Sequence, residues 1–319
     1  MKKDNPKILG YGNFSKLEKL MSKHFPSQLK AVCDKLTETP KTMIDLNKYV
    51  KDGNFTHIII PDEHFHQLDE NLSGCNVPII ELLGDHFIPW AIERKKNYMK
   101  ENEIKHAFIS TDRFLEKYDK ITNFHLVNYG YDNQIFANKN KNKDIDILIS
   151  GSLGKKKNHT REVYPVRNWL AKVIPEIGIK EGIKVETLGH PGYNTGKETN
   201  HQKEYCDIIN RSKIATGGSS HWRLPFKKFY EITACGTILL SDLPLDDTEF
   251  FREKIIEINP EKITDREYKD VIKREVMNIL ENYEKVKGNF QPFATEKDRF
   301  SRSYKGRALE MREIISNIE

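Results

Sequence analysis

Short apolar runs alternate along this chain with longer stretches in which apolar residues return every three to four positions. The runs Lys7–Tyr11, Leu29–Cys33, Thr56–Ile60, Val77–Leu82, His106–Ser110 and Asn123–Val127 predict strands. Phe14–His24, Met43–Val50 and Pro89–Lys100 carry the helical period between them. Residues 137–144 (ANKNKNKD) then hold no apolar residue after Ala137 and read as an exposed linker. The alternation restarts with strands Ile145–Ser150, Ile183–Leu188, Lys213–Thr216, Thr237–Ser241 and Ile255–Ile258. Helical patterns cover Arg161–Ile174, Gln202–Asn210, Phe226–Cys235 and Asp265–Lys287, and a helical tail covers Thr295–Ile318. Strand and helix in regular alternation imply an α/β fold with doubly wound parallel sheets. The expected organisation is a domain over 1–136, a linker over 137–144, a second domain over 145–290 and a C-terminal helix over 291–319 that packs back on the first domain. No repeat at a solenoid period is visible.

Composition narrows this picture only modestly. The 319 residues are 37% hydrophobic, with a mean hydropathy of −0.67, enough for more than one core. No apolar run approaches the roughly 20 residues that span a bilayer, and the start MKKDNPKILGYG lacks the apolar stretch of a signal peptide. The expectation is a cytoplasmic protein. Cys33, Cys75, Cys206 and Cys235 form no Cys-x-x-Cys pair, which suits reduced, buried thiols better than a disulfide framework or a zinc site. The net charge is +5, with lysines gathered at 139, 141, 143 and 155–157. A solvated linker accounts for most of that run, while one of Lys155–Lys157 is a candidate for an anion. Charge alone leaves an acidic acceptor, peripheral contact with an anionic membrane and nucleic acid all open.

Ligands of open parallel sheets bind outside the carboxyl ends of the strands, so residues there are weighed first. The segment Pro225–Asp242 (PFKKFYEITACGTILLSD) reads as a helix opened by Pro225, ended by Gly236 and followed by a strand. The loop before it, with Gly218, Ser219, Ser220 and Arg223, can aim backbone N–H groups and a helix N-terminus at an anion. Glu231, one turn after Lys228, can accept hydrogen bonds from sugar hydroxyls. In the first domain Gly10–Asn13, with Gly12, is a small loop between strand and helix. Asp85 and His86 follow a strand and are candidates for accepting a proton. His64-Phe65-His66 lacks a third ligand, and no Asp-x-Asp follows a strand, so no metal site is expected. Gly151–Lys156 is too short between glycines for a P-loop, and no Gly-x-Ser-x-Gly occurs.

PFKKFYEITACGTILLSDLP resembles the Lys-x-x-Glu-x-x-Ala-x-Gly signature of GT-B glycosyltransferases, the glycosyl transferases group 1 (family 4-like), through Lys228, Glu231, Ala234 and Gly236. Val127–Phe136 is similar to the Gly-Val-Asp-x-x-x-Phe segment closing the first domain there, and Ile145–Lys157 to the strand, glycine and lysine opening the second. The resemblance implies two Rossmann-like doubly wound parallel-sheet domains facing across a cleft, the first on the acceptor side and the second binding the donor. It implies transfer of a sugar from a UDP- or GDP-linked donor to an acceptor hydroxyl of a glycan or glycolipid, without metal or tightly bound cofactor. Glu231 would hold the ribose; Lys228, Gly151 and Lys157 would hold the diphosphate. The chain departs from the pattern where Arg223 replaces a first glutamate and Ser152 replaces an arginine; Arg223 could supply the charge Ser152 lacks. Alternatives that stay open are transfer to modified bases in DNA, a GT-B-shaped epimerase or phosphorylase, and a non-catalytic nucleotide-sugar-binding module.

Overall fold

The computed structural model describes residues 5–14, 29–38, 42–62, 72–84, 86–118, 120, 122–153, 163–189, 201–264, 266–290, 293 and 295–319. They fall into two compact units, the first within Met1–Gly130 and Ser303–Glu319, the second within Tyr131–Gly192 and Glu198–Arg302.

The first unit holds β1 (Ile8–Tyr11), β2 (Lys35–Thr37), β3 (His57–Pro61), β4 (Ile79–Leu82), β5 (His106–Ile109) and β6 (Asn123–Leu126) in one sheet, ordered β2-β1-β3-β4-β5-β6. All pairings are parallel. β1 and β3 are buried along their whole length, as the uninterrupted apolar runs of a sheet covered on both faces require. On one face Leu9, Ile58, Ile60 and Ile109 pack with Leu46 and Val50 of α1 (Met43–Asp52) and Ile92 and Met99 of α2 (Pro89–Glu101). Thr42 caps α1, its hydroxyl accepting the Asp45 N–H at 3.2 Å.

Leu29–Cys33, expected as a strand, is instead helical: residues 29–32 are in helical conformation, and the Cys33 N–H donates to Leu29 O at 2.8 Å. Leu29 and Val32, three apart and both fully buried, share one helical face, and β2 follows at Lys35. That face joins Ile8, Ile59, Ile80 and Phe108 on the second side of the sheet. The C-terminal helix closes this side with Ala308, Met311 and Ile315, and Arg312 donates to Val32 O and Pro6 O, each at 2.7 Å.

The second unit holds β7 (Ile145–Gly151), β8 (Val185–Gly189), β9 (Ser212–Thr216), β10 (Ile238–Ser241) and β11 (Ile255–Glu257), all parallel, in the order β11-β10-β9-β7-β8. Its helices are α3 (Pro165–Glu181), α4 (His201–Arg211), α5 (Lys227–Ala234), α6 (Thr248–Arg252), α7 (Tyr268–Glu281), α8 (Tyr283–Asn289) and α9 (Glu296–Ser301). Ile147, Ile149, Ile214 and Leu240 pack with Leu170, Val173 and Ile177 of α3 and Ile272, Val276 and Ile279 of α7. The helix expected over Asp265–Lys287 breaks at Asn282, whose side-chain amide donates back to Asn278 O at 3.1 Å and competes with the ladder. The tail likewise divides, because Ser303 caps α10 (Tyr304–Ile315), accepting the Gly306 N–H at 3.1 Å.

The boundary between the units falls at Gly130, seven residues before the lysine-rich segment. That segment is exposed and irregular, and it is strapped to the second unit. The Lys139 N–H donates to Asn210 Oδ1 at 2.7 Å, and Lys143 Nζ to Thr237 Oγ1 at 3.1 Å. Among the described residues no helix is long and apolar enough to cross a membrane.

Candidate functional site

In the second sheet the winding reverses between β7 and β9, and a doubly wound sheet opens a crevice at the carboxyl ends of such a strand pair. β7 ends there with Ser150, Gly151 and Ser152; β9 runs out into Gly217 and Gly218. Gly151 has φ +108, a left-handed conformation that excludes a side chain, and a Cβ on it would lie 3.0 Å from Arg167 Nη1 and 3.1 Å from Lys228 Nζ. Two cations therefore bracket one bare stretch of backbone.

Arg167 is held by the fold around it. It lies in the first turn of α3, just after Pro165, and is 4% exposed. Its Nη2 donates to Gly218 O at 3.0 Å and its Nη1 to Ser152 O at 3.4 Å, while the guanidinium lies over the Tyr164 ring at 3.9 Å. Gly218 is needed for this approach, since a Cβ there would fall 2.9 Å from Arg167 Cβ.

Lys228 comes from the first turn of α5, and its ammonium donates to Ser150 Oγ at 2.7 Å over the Tyr205 ring at 4.8 Å. The Tyr205 hydroxyl meets the same Ser150 Oγ at 3.3 Å. Burial lowers the pKa of Lys228 and the Arg167 charge lowers it further, with Glu231 pulling the other way. Among the described residues neither cation has a carboxylate as a hydrogen-bond or ion-pair partner. Glu231 sits one turn further along α5, half-buried; burial raises its carboxyl, against the attraction of Lys228 and Lys227.

The loop before α5 differs from the expected set of free amides. Six of its N–H groups, at Gly217, Ser219, His221, Trp222, Arg223 and Leu224, donate within the protein. Asp242 takes both the N–H of Ser219, at 2.8 Å, and its hydroxyl. Ser220 and Arg223 adopt positive φ, 65 and 58. The cation beside Ser152 is Arg167 and not Arg223, whose Nε donates to Leu243 O at 2.8 Å and whose Nη1 meets Glu261 at 3.1 Å. α5 begins with Phe226 as its uncapped N-terminal residue, one position after Pro225. Gly236 follows its end with φ +68, as a helix terminus favours.

Of the first-unit candidates, Gly12 is buried directly after β1, its N–H donating to Thr37 O of β2 at 3.1 Å. His86 has no exposed surface; its Nε2 donates to Thr111 O at 2.8 Å, and burial pushes its pKa down to about 4. In this arrangement it is a neutral, packed imidazole. Asp85, Lys157 with Lys155 and Lys156, and His64 and His66 lie outside the described residues. Among those described, no cluster of His, Cys, Asp or Glu is suited to hold a metal ion.

Sequence reasoning missed Arg167 and Tyr205. A signal for Arg167 was present: Tyr164-Pro165 opens a helix and puts an arginine in its first turn, where the helix dipole disfavours a cation.

No protein-family model matches the chain, and no curated protein matches it. Its fold does match solved structures. The Anabaena HepE in complex with UDP and glucose is similar over 98% of this chain and 100% of its own, with a TM-score of 0.59 at 10% identity. A glycosyltransferase from Rickettsia africae ESF-5 matches over 99% and 100%, with 0.55 at 11%. A sucrose-phosphate synthase from Thermosynechococcus elongatus matches over 86% of this chain and 76% of its own, with 0.53 at 11%. The chain has the two-domain, Rossmann-like GT-B fold.

Proposed function

We propose that this protein is a glycosyltransferase of the group 1 kind that takes a sugar from a UDP-linked donor and transfers it to a hydroxyl of a glycan or glycolipid. One observation carries the reading: Arg167 and Lys228 converge over Gly151, with no carboxylate bound to either, at the crevice of the second sheet. Two like charges held together partly out of water are costly unless an anion joins them, and a diphosphate fits that need. The uridine diphosphate in the HepE complexes supports UDP as that anion.

Cleavage of the bond between the anomeric carbon and the diphosphate oxygen leaves positive charge on the sugar and negative charge on the departing β-phosphate. Arg167 and Lys228 are placed to stabilise the latter, and that stabilisation grows as the bond lengthens. Glu231 accepts hydrogen bonds from the ribose diol on the same helix as Lys228, which sets the distance between base end and phosphate end. With two side-chain cations on the diphosphate, the reaction is expected to need no divalent metal.

The test is a panel of UDP- and GDP-linked sugars, with saccharide acceptors, scored for binding and for nucleoside diphosphate release in excess chelator. UDP-sugar binding with release of UDP supports the reading. Binding without release under any acceptor would make the chain a nucleotide-sugar-binding module. A strict need for manganese or magnesium in the transfer step would refute the metal-free mechanism.

A further inference from the structure

Beneath the donor helix lie two thiols that the proposed reaction leaves unused. Cys206 and Cys235 are both fully buried, and their Sγ atoms are 3.9 Å apart. Cys206 follows Tyr205 on α4, and Cys235 is the C-terminal cap of α5, the helix that carries Lys228 and Glu231. The Cys206 thiol donates to Ile135 O at 3.0 Å and accepts from Asn210 Nδ2 at 3.4 Å. The Cys235 thiol is in contact with it on the other side.

We propose that Cys206 and Cys235 are a redox-modification site, a dithiol that hydrogen peroxide converts to an internal disulfide, and that this disulfide weakens donor binding. The regulatory half rests on the nucleoside-diphosphate reading above; the chemical half does not.

Cys206 is the attacking thiol. Its acidity is raised by the hydrogen bond it receives from Cys235 and by the nearby Lys139 amine. Its thiolate attacks the peroxide, forming an S–O bond as the O–O bond breaks, and leaves a sulfenic acid and one water. Cys235 then attacks the sulfenic sulfur; the S–S bond forms, the S–O bond breaks, and the hydroxide leaves as a second water with the Cys235 proton. Two thiols and one peroxide give one disulfide and two waters.

A disulfide S–S bond is about 2.05 Å, so the sulfur atoms must approach by about 1.9 Å from their separation here. Rotation of the two side chains supplies part of that approach and shifts of α4 and α5 the rest, and these are the two helices that wall the cation site. α4 carries Tyr205, whose ring and hydroxyl hold Lys228 and Ser150; α5 carries Lys228 itself. Entry for the oxidant is through the irregular segment around Ala137–Lys139, which is exposed and tied down mainly by Asn210.

The test uses the full chain, reduced and then treated with hydrogen peroxide, with intact mass, a peptide map and the Kd for UDP as readouts. The expected result is the loss of two hydrogens, a Cys206–Cys235 linked peptide, and a Kd at least tenfold higher that dithiothreitol restores. Cys235→Ala should keep its UDP affinity through the same treatment, and Cys206→Ser serves the same purpose should that variant fail to fold. Free thiols at both positions after treatment of the folded chain would overturn the proposal. So would a disulfide that leaves the Kd unchanged, or an equal loss of affinity in Cys235→Ala. A reduced chain that binds no nucleoside diphosphate would overturn the donor reading and the regulatory half with it, while the disulfide stands or falls on the mass alone.

Discussion

Replacing Lys228 by methionine separates binding from stability, because its charge works for one and against the other. In the free protein the Lys228 ammonium and the Arg167 guanidinium each approach the Gly151 Cβ position to 3.1 and 3.0 Å, so the two lie within about 6 Å of each other. For two full charges at an effective dielectric near 20 that repulsion is about 3 kcal/mol; the lowered pKa of Lys228 relieves part of it, and burial of Lys228 adds to the cost. Against it stand the attraction of Glu231 and one hydrogen bond to Ser150 Oγ, which keeps Tyr205 as a partner when the lysine is gone. Lys228→Met should therefore leave the melting temperature unchanged or raise it slightly. UDP binding should suffer, because a charge-assisted hydrogen bond to phosphate is worth about 1.5–3 kcal/mol, or roughly a 10- to 150-fold rise in Kd. Calorimetric titration of UDP and thermal unfolding of the same samples read both quantities. A variant that binds UDP as the parent does would refute the phosphate role. A melting temperature several degrees lower would show that Lys228 is a structural residue and that the repulsion has been overestimated.

Other perturbations test neighbouring parts of the argument. Gly151→Ala places a methyl group against both cations at a positive φ, so it should cost about 1–2 kcal/mol of stability and at least tenfold in UDP affinity; parental UDP affinity in a folded Gly151→Ala protein would show that the bare backbone is not the binding surface. Glu231→Gln should weaken binding of UDP by about 1–3 kcal/mol yet leave inorganic pyrophosphate binding nearly unchanged, since only the ribose contact is lost; equal losses for both ligands would reassign the residue to the phosphates. His86 is protonated in the unfolded chain below about pH 6.5 but in the folded chain only below about 4, so stability should fall by about 2–3 kcal/mol between pH 7 and pH 4.5 on its account. His86→Gln keeps a donor for Thr111 O and should shrink that loss in urea titrations at the two pH values; an unchanged pH slope would place the titrating group elsewhere. Duplex DNA should bind weakly and be released by physiological salt, given a net charge of only +5; salt-resistant binding in an electrophoretic shift assay would reopen nucleic acid as the acceptor.

The sheets were legible because parallel strands buried on both faces read as short apolar runs, as in Ile58–Ile60 and Ile147–Ile149. Leu29–Cys33 failed for the same reason: a short apolar run cannot be told from a buried helical turn without its neighbours. Lys228, Glu231 and Gly236 could be read because they sit within nine consecutive residues, on one helix and just past its end, and carry their spacing with them. Arg167 was marked only as a cation in the first turn of a helix; its partners were not legible, for it reaches Gly151 and Gly218 across sequence separations that only strand order closes. Arg223 was legible as a cation but not as one committed to Leu243, Asp242 and Glu261, since that depends on a loop with residues at positive φ. A separation of 29 positions between Cys206 and Cys235 hides a contact that exists only because α4 and α5 lie side by side.

The two units contain the same kind of switch point and furnish it in opposite ways, and the contrast bears on what each binds. In the first sheet the winding reverses between β1 and β3, and Asp62 follows β3 directly. There the charge is already balanced: Lys95 of α2, fully buried, donates to Asp62 Oδ1 at 2.5 Å and to Gly84 O at 2.7 Å. A buried pair of this kind satisfies itself and has little attraction left for an anion. In the second sheet Arg167 and Lys228 are both cations and neither is balanced by a bound carboxylate, a local conflict that folding alone would not favour and that a bound diphosphate resolves. Among the described residues the two cations at one switch point have no bound carboxylate, only the attraction of Glu231 and Asp242 at longer range, while the lysine at the other has one in direct contact. On the proposed reading, in which one unit holds a diphosphate and the other the acceptor, such an arrangement suits a neutral, hydroxyl-bearing acceptor and favours a saccharide over a polyphosphate chain.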